Sequence, residues 1–575
     1  EIMSGDWSSD VCSSDLTVVH SANAAGLGTG TLTLGHTAGG ANASLIASGT
    51  GFTADNAIIV VSGSSGTATI GGNNGNSFVY SGPVTLNKDL QINTTGAGSF
   101  SLSGALTGTG GLINASSGAG EVIISSGNLG IGSITQNSAT SVMTLSNASI
   151  AFTGSLTVSA GTLSITGGAT SAPAPEALIV KGGAILNLVN TVGQRLNLGS
   201  GAVSLGADSG TTTLNWELGT SSGTLYDSIL TTGAATTANN VVFNLTGLAG
   251  FGPGNYDLLT ASGGLSGATY SIGTLRGSLT GVTLALTPSA TLVQLVATAS
   301  TGDFYWDGSI NSSWTGISGL NANWSTDRAG DVNAGGTPGV LTSVIFSSDD
   351  VTGTALTTTL DGAFSIKDLS FINEVGVGPL TSISIASGAS GTLTITPADS
   401  TAGINVQTGA PAAIDLSAPI TLGANQTWAV ADAATILASS GGIGGTANLT
   451  KDGAGILTLS GTNSYVGATT ITAGVLQAGA ANGFNQTSAH TVSAGAILRL
   501  NAFNAAIGSL AGAGTVENGG AANVTLTAGG DNSSTTFSGA LQNGATSTFG
   551  LTKVGNGALT LSGTNTHTGN TVVNG

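Results

Sequence analysis

Apolar residues alternate with threonine or serine along most of the chain, and glycine or asparagine separates the alternating runs. Within residues 449–479, for example, Leu457 and Leu459 alternate with hydroxyl residues, and Ile471 has a threonine on each side. A period of two predicts β-strands with one buried face, and the glycine-rich breaks predict turns. No helical period of useful length competes with this pattern. The sequence therefore predicts an all-β protein built from short strands.

One long segment occurs twice. Residues 449–479 return as residues 551–575 at a constant offset, with the same Leu-Thr-Lys, Gly-x-Gly and Leu-Thr-Leu-Ser-Gly-Thr-Asn runs and a later glycine. A repeat of this kind dictates the architecture, because each copy is one unit that packs on its neighbours. The repeat is defined in the first copy by Leu449, Lys451, Gly453, Gly455, Leu457, Leu459, Gly461, Asn463, Gly467, Ile471 and Gly474, and in the second by Leu551, Lys553, Gly555, Gly557, Leu559, Leu561, Gly563, Asn565 and Gly569.

A shorter echo sets the pitch of the repeat. Residues 470–476 return as residues 491–497, which is 21 residues later, and residues 157–163 are a third copy. A unit of this length made of short strands suits one coil of a β-solenoid. Successive coils would stack about 4.8 Å apart. We expect leucine, isoleucine and valine to form apolar ladders inside, with threonine, serine and asparagine on the outer face and at the corners.

This repeat resembles the autotransporter-associated β-strand repeat of bacterial surface and secreted proteins. Tyr465, Thr469 and Thr470 also match that pattern, and His567 stands where the first copy has Tyr465. The resemblance covers about 440–575, and the rest of the chain is similar in style. It implies a right-handed parallel β-helix that is exported to the cell surface, with no particular activity attached.

The chain divides into three parts on this interpretation. Residues 1–16 are expected to be a non-native leader, because residues 5–16 resemble a translated sequencing adapter. Cys12, the single cysteine, then falls outside the native protein, and a signal peptide is not observable. We expect a first solenoid module at 17–300, with closing strands at 239–298, and a second at 301–575. The second module carries both copies of the repeat and stops within the later one.

Composition narrows the range of functions. Glycine accounts for 94 residues and charged residues for 6%, yet 40% of the chain is hydrophobic with regular alternation, which argues against disorder. The formal net charge of −18 excludes electrostatically driven binding of nucleic acid and argues against an anionic membrane surface. The most apolar stretch, 291–299, is far shorter than the roughly 20 residues of a membrane-spanning helix.

The densest aromatic patch contains Trp306, Trp314 and Trp324. Exposed, coplanar rings would form a sugar-stacking platform, whereas buried rings would cover the end of a stack of coils. The cap is the favoured interpretation, and the resemblance supports it.

Few residues suggest chemistry. The four histidines include His490 and His567, which occupy repeat positions, and the nucleophile-elbow pattern at 219–223 has no helix after it. Asp349 and Asp350 are adjacent and would point to opposite faces of a strand, with Lys367 as the nearest base. Lys451 and Lys553 recur with the repeat, which indicates a structural or surface role. We therefore expect no catalytic residues, no metal and no cofactor.

The sequence thus predicts a non-enzymatic passenger or stalk region of a bacterial autotransporter-like protein, serving adhesion or self-association. The expected location is the cell surface, associated with the outer membrane, or the secreted fraction. The expected partners are cell-surface glycans, host or neighbouring-cell surfaces, or a second copy. The alternative is a carbohydrate-binding or polysaccharide-degrading β-helix, which for degradation needs several carboxylates in one groove.

Overall fold

The computed structural model describes residues 16–575 apart from 22–26, 36–37, 49–50, 52, 74, 128, 147–153, 168–174, 222–225, 278, 319–320, 348–353, 373–379, 389, 399–401 and 482. The expected leader, including Cys12, lies outside the described residues except for Leu16. The same holds for His36, Asp349 and Asp350, and for part of the 219–223 pattern.

The chain is all-β, with about 21 turns of parallel β-solenoid, which confirms the predicted fold class. It divides into two compact units, Glu1–Leu279 with Ala285–Ala297, and Thr280–Leu284 with Thr298–Gly575. The assignment of these parts as two modules stays a prediction. No helix in the described part of the chain is long and apolar enough to cross a membrane.

The described part of residues 16–299 contains the short strands that follow and the 3-10 turn Leu265–Gly267. The strands are β1 (Leu16–Ser21), β2 (Leu32–Leu34), β3 (Ala43–Ser48), β4 (Thr53–Ala54), β5 (Ile58–Val60), β6 (Ala68–Gly72), β7 (Phe78–Tyr80), β8 (Val84–Leu86), β9 (Leu90–Thr94), β10 (Phe100–Leu102), β11 (Leu106–Thr107), β12 (Gly111–Asn114), β13 (Val122–Ile124), β14 (Leu129–Gly130), β15 (Ser133–Leu145), β16 (Ser155–Ile165), β17 (Ala177–Val180), β18 (Ile185–Asn187), β19 (Arg195–Asn197), β20 (Ala202–Leu205), β21 (Thr211–Leu218), β22 (Ser228–Leu230), β23 (Ala235–Thr237), β24 (Asn240–Gly247), β25 (Gly254–Thr260), β26 (Thr269–Gly277), β27 (Val282–Pro288) and β28 (Leu292–Ala299).

Residues 301–575 form the remaining strands. They are β29 (Thr301–Trp306), β30 (Ile317–Ser318), β31 (Asn321–Ala322), β32 (Trp324–Ser325), β33 (Leu341–Phe346), β34 (Ala355–Leu360), β35 (Ala363–Ile366), β36 (Asp368–Phe371), β37 (Ser382–Ser387), β38 (Thr392–Ile395), β39 (Ala402–Val406), β40 (Ala413–Leu416), β41 (Ile420–Leu422), β42 (Gln426–Val430), β43 (Ile436–Ser439), β44 (Ile443–Gly445), β45 (Leu449–Asp452), β46 (Ile456–Leu459), β47 (Thr469–Ile471), β48 (Val475–Ala478), β49 (Ala489–Val492), β50 (Ile497–Arg499), β51 (Ala505–Ile507), β52 (Ser509–Gly512), β53 (Thr515–Glu517), β54 (Val524–Ala528), β55 (Thr535–Phe537), β56 (Ala540–Gln542), β57 (Phe549–Val554), β58 (Leu559–Leu561) and β59 (Thr571–Asn574).

In the first unit strands β1 to β26 pair in parallel with their equivalents one coil away. Phe100 lies opposite both Phe78 and Val122, and the coil at this point is 22 residues long. Later coils are longer, because Asn244 pairs with Asn215, 29 residues before it. The parallel stack ends where β25 pairs with β28 in the antiparallel sense.

In the second unit the strands lie on three faces. A 12-stranded sheet and a 9-stranded sheet run along two of them, and two 4-stranded sheets lie on the third. Between those two short sheets, from residue 460 to 468 and in the described residues of 479–488, the third face has loops instead of strands. This gap is where the first copy of the repeat lies.

Columns of aliphatic side chains form the core. One column in the second unit contains six residues that pair in order from coil to coil, and each is 0% exposed: Leu437, Leu457, Leu476, Leu498, Val516 and Leu541. Leu459 and Ile471 are also fully buried. The predicted apolar ladders are therefore seen at Leu457, Leu459 and Ile471 of the first copy, whereas Leu559 and Leu561 of the second copy are only half-buried. Burial of each such side chain contributes roughly 1.5–3 kcal/mol.

The register agrees with the predicted pitch only in part. Thr470 pairs with Thr491, 21 residues later, as the echo predicts. Beyond the glycine turn, however, Leu476 pairs with Leu498 and not with Ile497. The turn after Val492 accommodates one more residue than the turn after Ile471. This shift brings Leu498 into the core and leaves Ile497 half-buried.

The two copies of the repeat occupy different faces. The Leu-Thr-Lys strand of the first copy, β45, belongs to the 12-stranded sheet, whereas that of the second, β57, belongs to a 4-stranded sheet on the third face. In both copies this strand pairs with the strand that begins after the next glycine loop, β47 or β59. The local contacts are therefore kept while the whole unit is rotated by one face.

Truncation of the aliphatic column is expected to destabilise the second unit. Leu476→Ala removes a fully buried side chain between Leu457 and Leu498, so we expect a loss of about 2–5 kcal/mol in the free energy of unfolding. Urea unfolding followed by circular dichroism measures this loss, and hydrogen exchange locates it. Thr470→Ala, on the outer face one turn away, is the control and should change stability by no more than about 0.5 kcal/mol. Equal effects of the two substitutions would contradict the assigned core.

A buried histidine makes the same region sensitive to acid. His490 is 1% exposed, its Nδ1 lies 2.8 Å from the backbone oxygen of Ser488, and burial lowers its pKa from 6.5 to about 4. The folded chain therefore resists protonation of this ring. Its contribution to stability is complete above pH 6.5 and is lost as the pH falls towards 4, by about 3 kcal/mol in total.

The variant His490→Leu should lack this component, because leucine does not titrate. Leucine should fit at this position, because Leu510 occupies the equivalent position in the next coil. The measurement is the free energy of unfolding of both proteins from pH 7.5 to pH 4. The difference between the two curves should change by about 3 kcal/mol across this range. Parallel curves would show that His490 is not protected from protonation.

Candidate functional site

The three tryptophans of the aromatic patch lie in the core. Trp306 is 3% exposed, and Trp314 and Trp324 are 0% exposed. The rings of Trp306 and Trp314 each meet that of Trp324 edge to face, with centroids 5.0 Å apart. Buried rings in this arrangement offer no flat outer surface. The interpretation as a sugar-stacking platform is therefore wrong for these residues.

The indole N–H groups of Trp314 and Trp324 are satisfied internally. The indole N–H of Trp314 donates to Thr358 Oγ1 at 3.0 Å, and that of Trp324 donates to the backbone oxygen of Trp314 at 3.0 Å. Trp306 and Trp324 lie on β29 and β32, the two strands at one end of the 12-stranded sheet. This position is the one that a cap requires, and the cap stays a prediction.

The lysine of the repeat closes a turn. Lys451 is fully buried, and its ammonium donates to the backbone oxygens of Asp452 at 2.7 Å, Gly453 at 2.8 Å and Ala473 at 3.2 Å. These three acceptors match the three donors of an ammonium group. Burial lowers the pKa of Lys451 to about 8, and the nearby Asp452 carboxylate opposes this change. Of the two roles that the sequence left open for Lys451, the contacts are those of a structural residue and not of a surface one.

The second copy repeats these contacts. Lys553 donates to the backbone oxygens of Val554 and Gly555. Gly555, like Gly453, has a positive φ, and a Cβ on either glycine would lie within 2.3 Å of a backbone oxygen of the preceding coil. Glycine is therefore required at this turn for both conformation and space.

Asparagine and an aromatic residue anchor the glycine loop of each copy. Asn463 accepts from the backbone N–H of Ile443 at 2.9 Å, and Asn565 accepts from that of Leu541 at 2.9 Å. Tyr465 Oη lies 2.8 Å from Thr469 Oγ1. His567 places Nε2 3.0 Å from Thr571 Oγ1, so it makes the equivalent contact although the residue differs.

The outer faces of the second unit carry regular polar columns. Thr427, Thr450, Thr470 and Thr491 pair in order on one face, about one strand spacing apart. On the next face a hydrogen-bonded row runs from Gln477 through Arg499 and Glu517 to Gln542. The Arg499–Glu517 pair, with Nε and Oε1 2.8 Å apart, is half-buried. These columns present the same kind of group many times over.

A groove of about 590 Å³ lies on the third face, where strands are replaced by turns. Its lining comes from two successive coils: Ser460, Gly461, Thr462, Asn463, Ser464, Ala481, Phe484, Asn485, Gln486 and Thr487. All of these residues are uncharged. The groove offers hydroxyl and amide groups for hydrogen bonding and no acid or base for proton transfer.

A pair of buried carboxyl groups in the first unit was not found by sequence reasoning. Asp227 accepts from the backbone N–H groups of Gln194 and Glu217, and Glu217 accepts from those of Asn190 and Thr191. Burial, more than the neighbouring Glu217, raises the pKa of Asp227 to about 8. The pair fastens the 190–194 loop to β21. The one signal in the sequence is a charged residue within the apolar end of a strand, at Glu217.

The remaining chemical candidates are not brought together. Lys367 has a half-exposed side chain and lies 3.6 Å from Asp368. In the part of the chain that the structure describes, no group of three or more histidine, cysteine, aspartate or glutamate residues could hold a metal ion.

Known proteins resemble the chain over limited regions. A family model described as Passenger-associated-transport-repeat matches residues 140–165, 449–478 and 551–575. The last two matches are the two copies of the repeat, and the first includes the third echo at 157–163. Over 151 residues the chain is 38% identical to the "Adhesin BmaC autotransporter" of Brucella suis biovar 1 (strain 1330), a match that covers 25% of this chain and 4% of the adhesin. No solved structure matches the chain at a significant level.

The hydrogen bonds of the repeat residues described above stabilise the stacking of coils, and the family model matches the same two copies of the repeat. The chain is an autotransporter passenger-like protein, a parallel β-solenoid that carries passenger-associated transport repeats.

Proposed function

We propose that this chain is a non-enzymatic passenger or stalk region of a bacterial protein that is exposed at the cell surface or secreted, and that it serves adhesion. The similarity to an adhesin over 151 residues is the observation that carries this proposal. The passenger-type repeats support an exported location. Partners would be glycans, host or neighbouring-cell surfaces, or a second copy of the chain.

The outer columns support an adhesive role on physical grounds. Each hydroxyl or amide group contributes little by itself, because a neutral hydrogen bond that replaces one to water stabilises by about 1 kcal/mol. Groups that are held at fixed spacing by successive coils engage a repetitive partner together, and affinity then rises without any single strong contact. Rigid presentation also lowers the entropic cost of binding.

The contacts of the repeat support a structural and not a catalytic role. Hydrogen bonds within the stack, to neighbouring backbone or side-chain atoms, satisfy the polar groups of Lys451, Asn463 and Tyr465. Polysaccharide degradation would need carboxyl groups at the binding site, and none lines the groove of the second unit. No specific observation favours a degradative enzyme.

Adhesion is tested with beads coated with the full chain. We expect these beads to be retained on mammalian or bacterial cells, or to clump with each other, to a much greater extent than beads that carry the heat-unfolded chain. Retention on cells indicates a foreign surface as partner, and clumping indicates self-association. A coated bead that neither adheres to these cells nor clumps would contradict the proposal, as would release of reducing sugars from a polysaccharide panel.

A further inference from the structure

The groove on the third face of the second unit has a rigid floor. Asn463 donates to the backbone oxygens of Gly461 at 3.0 Å and of Gly483 at 2.6 Å, which ties two coils together. Asn485 donates to the backbone oxygen of Tyr465, and it accepts from the N–H and the hydroxyl of Thr487, each at 2.8 Å. Phe484 is buried beneath these residues. The floor is therefore already organised before any ligand arrives.

The rim of the groove, in contrast, carries polar side chains whose hydrogen-bonding groups are unused among the described residues. Thr462, Ser464 and Gln486 are exposed, and none of these side chains makes a hydrogen bond within the part of the chain that the structure describes. They lie on the same two neighbouring coils as the floor residues Asn463 and Asn485. Hydroxyl and amide groups in such positions donate and accept hydrogen bonds equally well.

An apolar side chain extends the same row. Val466 follows Ser464 by two residues, and both are exposed, Val466 to 61%. A polar rim beside an apolar patch suits a ligand that itself has both hydroxyl groups and C–H faces.

Charge restricts the ligand further. The lining contains no acidic, basic or histidine residue, and the whole chain carries a net charge of −18. An anionic ligand would find no counter-charge in the groove and would be repelled by the chain as a whole. A metal ion would find no carboxylate ligand. A neutral ligand is favoured, and the groove volume lies within the range of sites for small molecules.

We propose that this groove binds a neutral oligosaccharide, with Thr462, Ser464 and Gln486 as hydrogen-bonding groups and Val466 against the C–H face of a sugar ring. The inference rests on the proposed adhesive function and names the class of partner at one site. It differs from the aromatic platform excluded above, because recognition here depends on hydroxyl and amide groups.

The second copy of the repeat supplies a matched control. Thr564 occupies the position that corresponds to Thr462, and Thr568 corresponds to Val466. Thr564 is exposed on the loop of the second copy and does not line the groove. Substitution of Thr564 tests the general effect of losing a hydroxyl from this loop.

The test uses the full chain and four neutral probes, the hexasaccharides of β-glucose, mannose, galactose and N-acetylglucosamine, with binding measured by saturation-transfer NMR and calorimetry. We expect at least one to bind. Thr462→Ala and Gln486→Ala should each weaken that binding roughly three- to tenfold, as expected for one lost hydrogen bond. Ser464→Leu should remove a hydroxyl, obstruct the groove with an aliphatic side chain and abolish binding, and Thr564→Ala should leave binding unchanged. Circular dichroism checks that each variant is folded.

Two results would overturn the inference. One is the absence of binding by all four hexasaccharides, or binding that the groove variants do not alter. The other is tighter binding of a sulfated hexasaccharide than of any neutral probe. Bead adhesion by the unaltered chain separates this inference from the proposed function: adhesion without hexasaccharide binding retains the function and rejects the groove, whereas hexasaccharide binding without adhesion retains the groove and rejects the function.

Discussion

Register between successive coils is the constraint on which the rest of this structure depends. A parallel stack places each side chain on its equivalent about one strand spacing away, so an inward position must be apolar or fully satisfied in every coil. The column from Leu437 to Leu541 meets this demand with aliphatic residues alone. Where a charged group enters an inward position, as at Lys451, its hydrogen bonds are supplied by the turn itself. Burying such a group without partners would cost several kcal/mol.

The same constraint explains why the outside of the molecule is regular. Strands that stack in register carry their outward side chains in register as well, which produces the threonine column and the row through Arg499 and Glu517. Neither is needed for the core. The groove lies where a face lacks strands. Regular faces and a local groove therefore come from one architecture, and they suit broad and specific recognition respectively.

Sequence patterns predicted the fold well because the core of a solenoid is local in sequence. Alternation identified Leu457, Leu459 and Ile471 as inward residues, and the echo at 470–476 identified the strand that pairs with β47. Turn length was harder to predict: one additional residue after Val492 moved Leu498, and not Ile497, into the column. The burial of Lys451 could not be foreseen from residue type, since lysine is rarely buried without partners. The groove and the Asp227–Glu217 pair depend on loops from separate coils, whose positions no periodicity records.

The rotation of the repeat by one face has a consequence for how such a chain can change. Lys553, Asn565 and His567 make the contacts of Lys451, Asn463 and Tyr465 although they lie against a different side of the stack. The motif thus recognises the coil beneath it and not a fixed place in the protein. One coil can consequently be duplicated, deleted or lengthened, because the coils that follow it can rotate about the solenoid axis and keep the same contacts. Insertion of further coils is then tolerated at almost any position along the solenoid axis. The pattern of surface side chains shifts around that axis, and the core is kept.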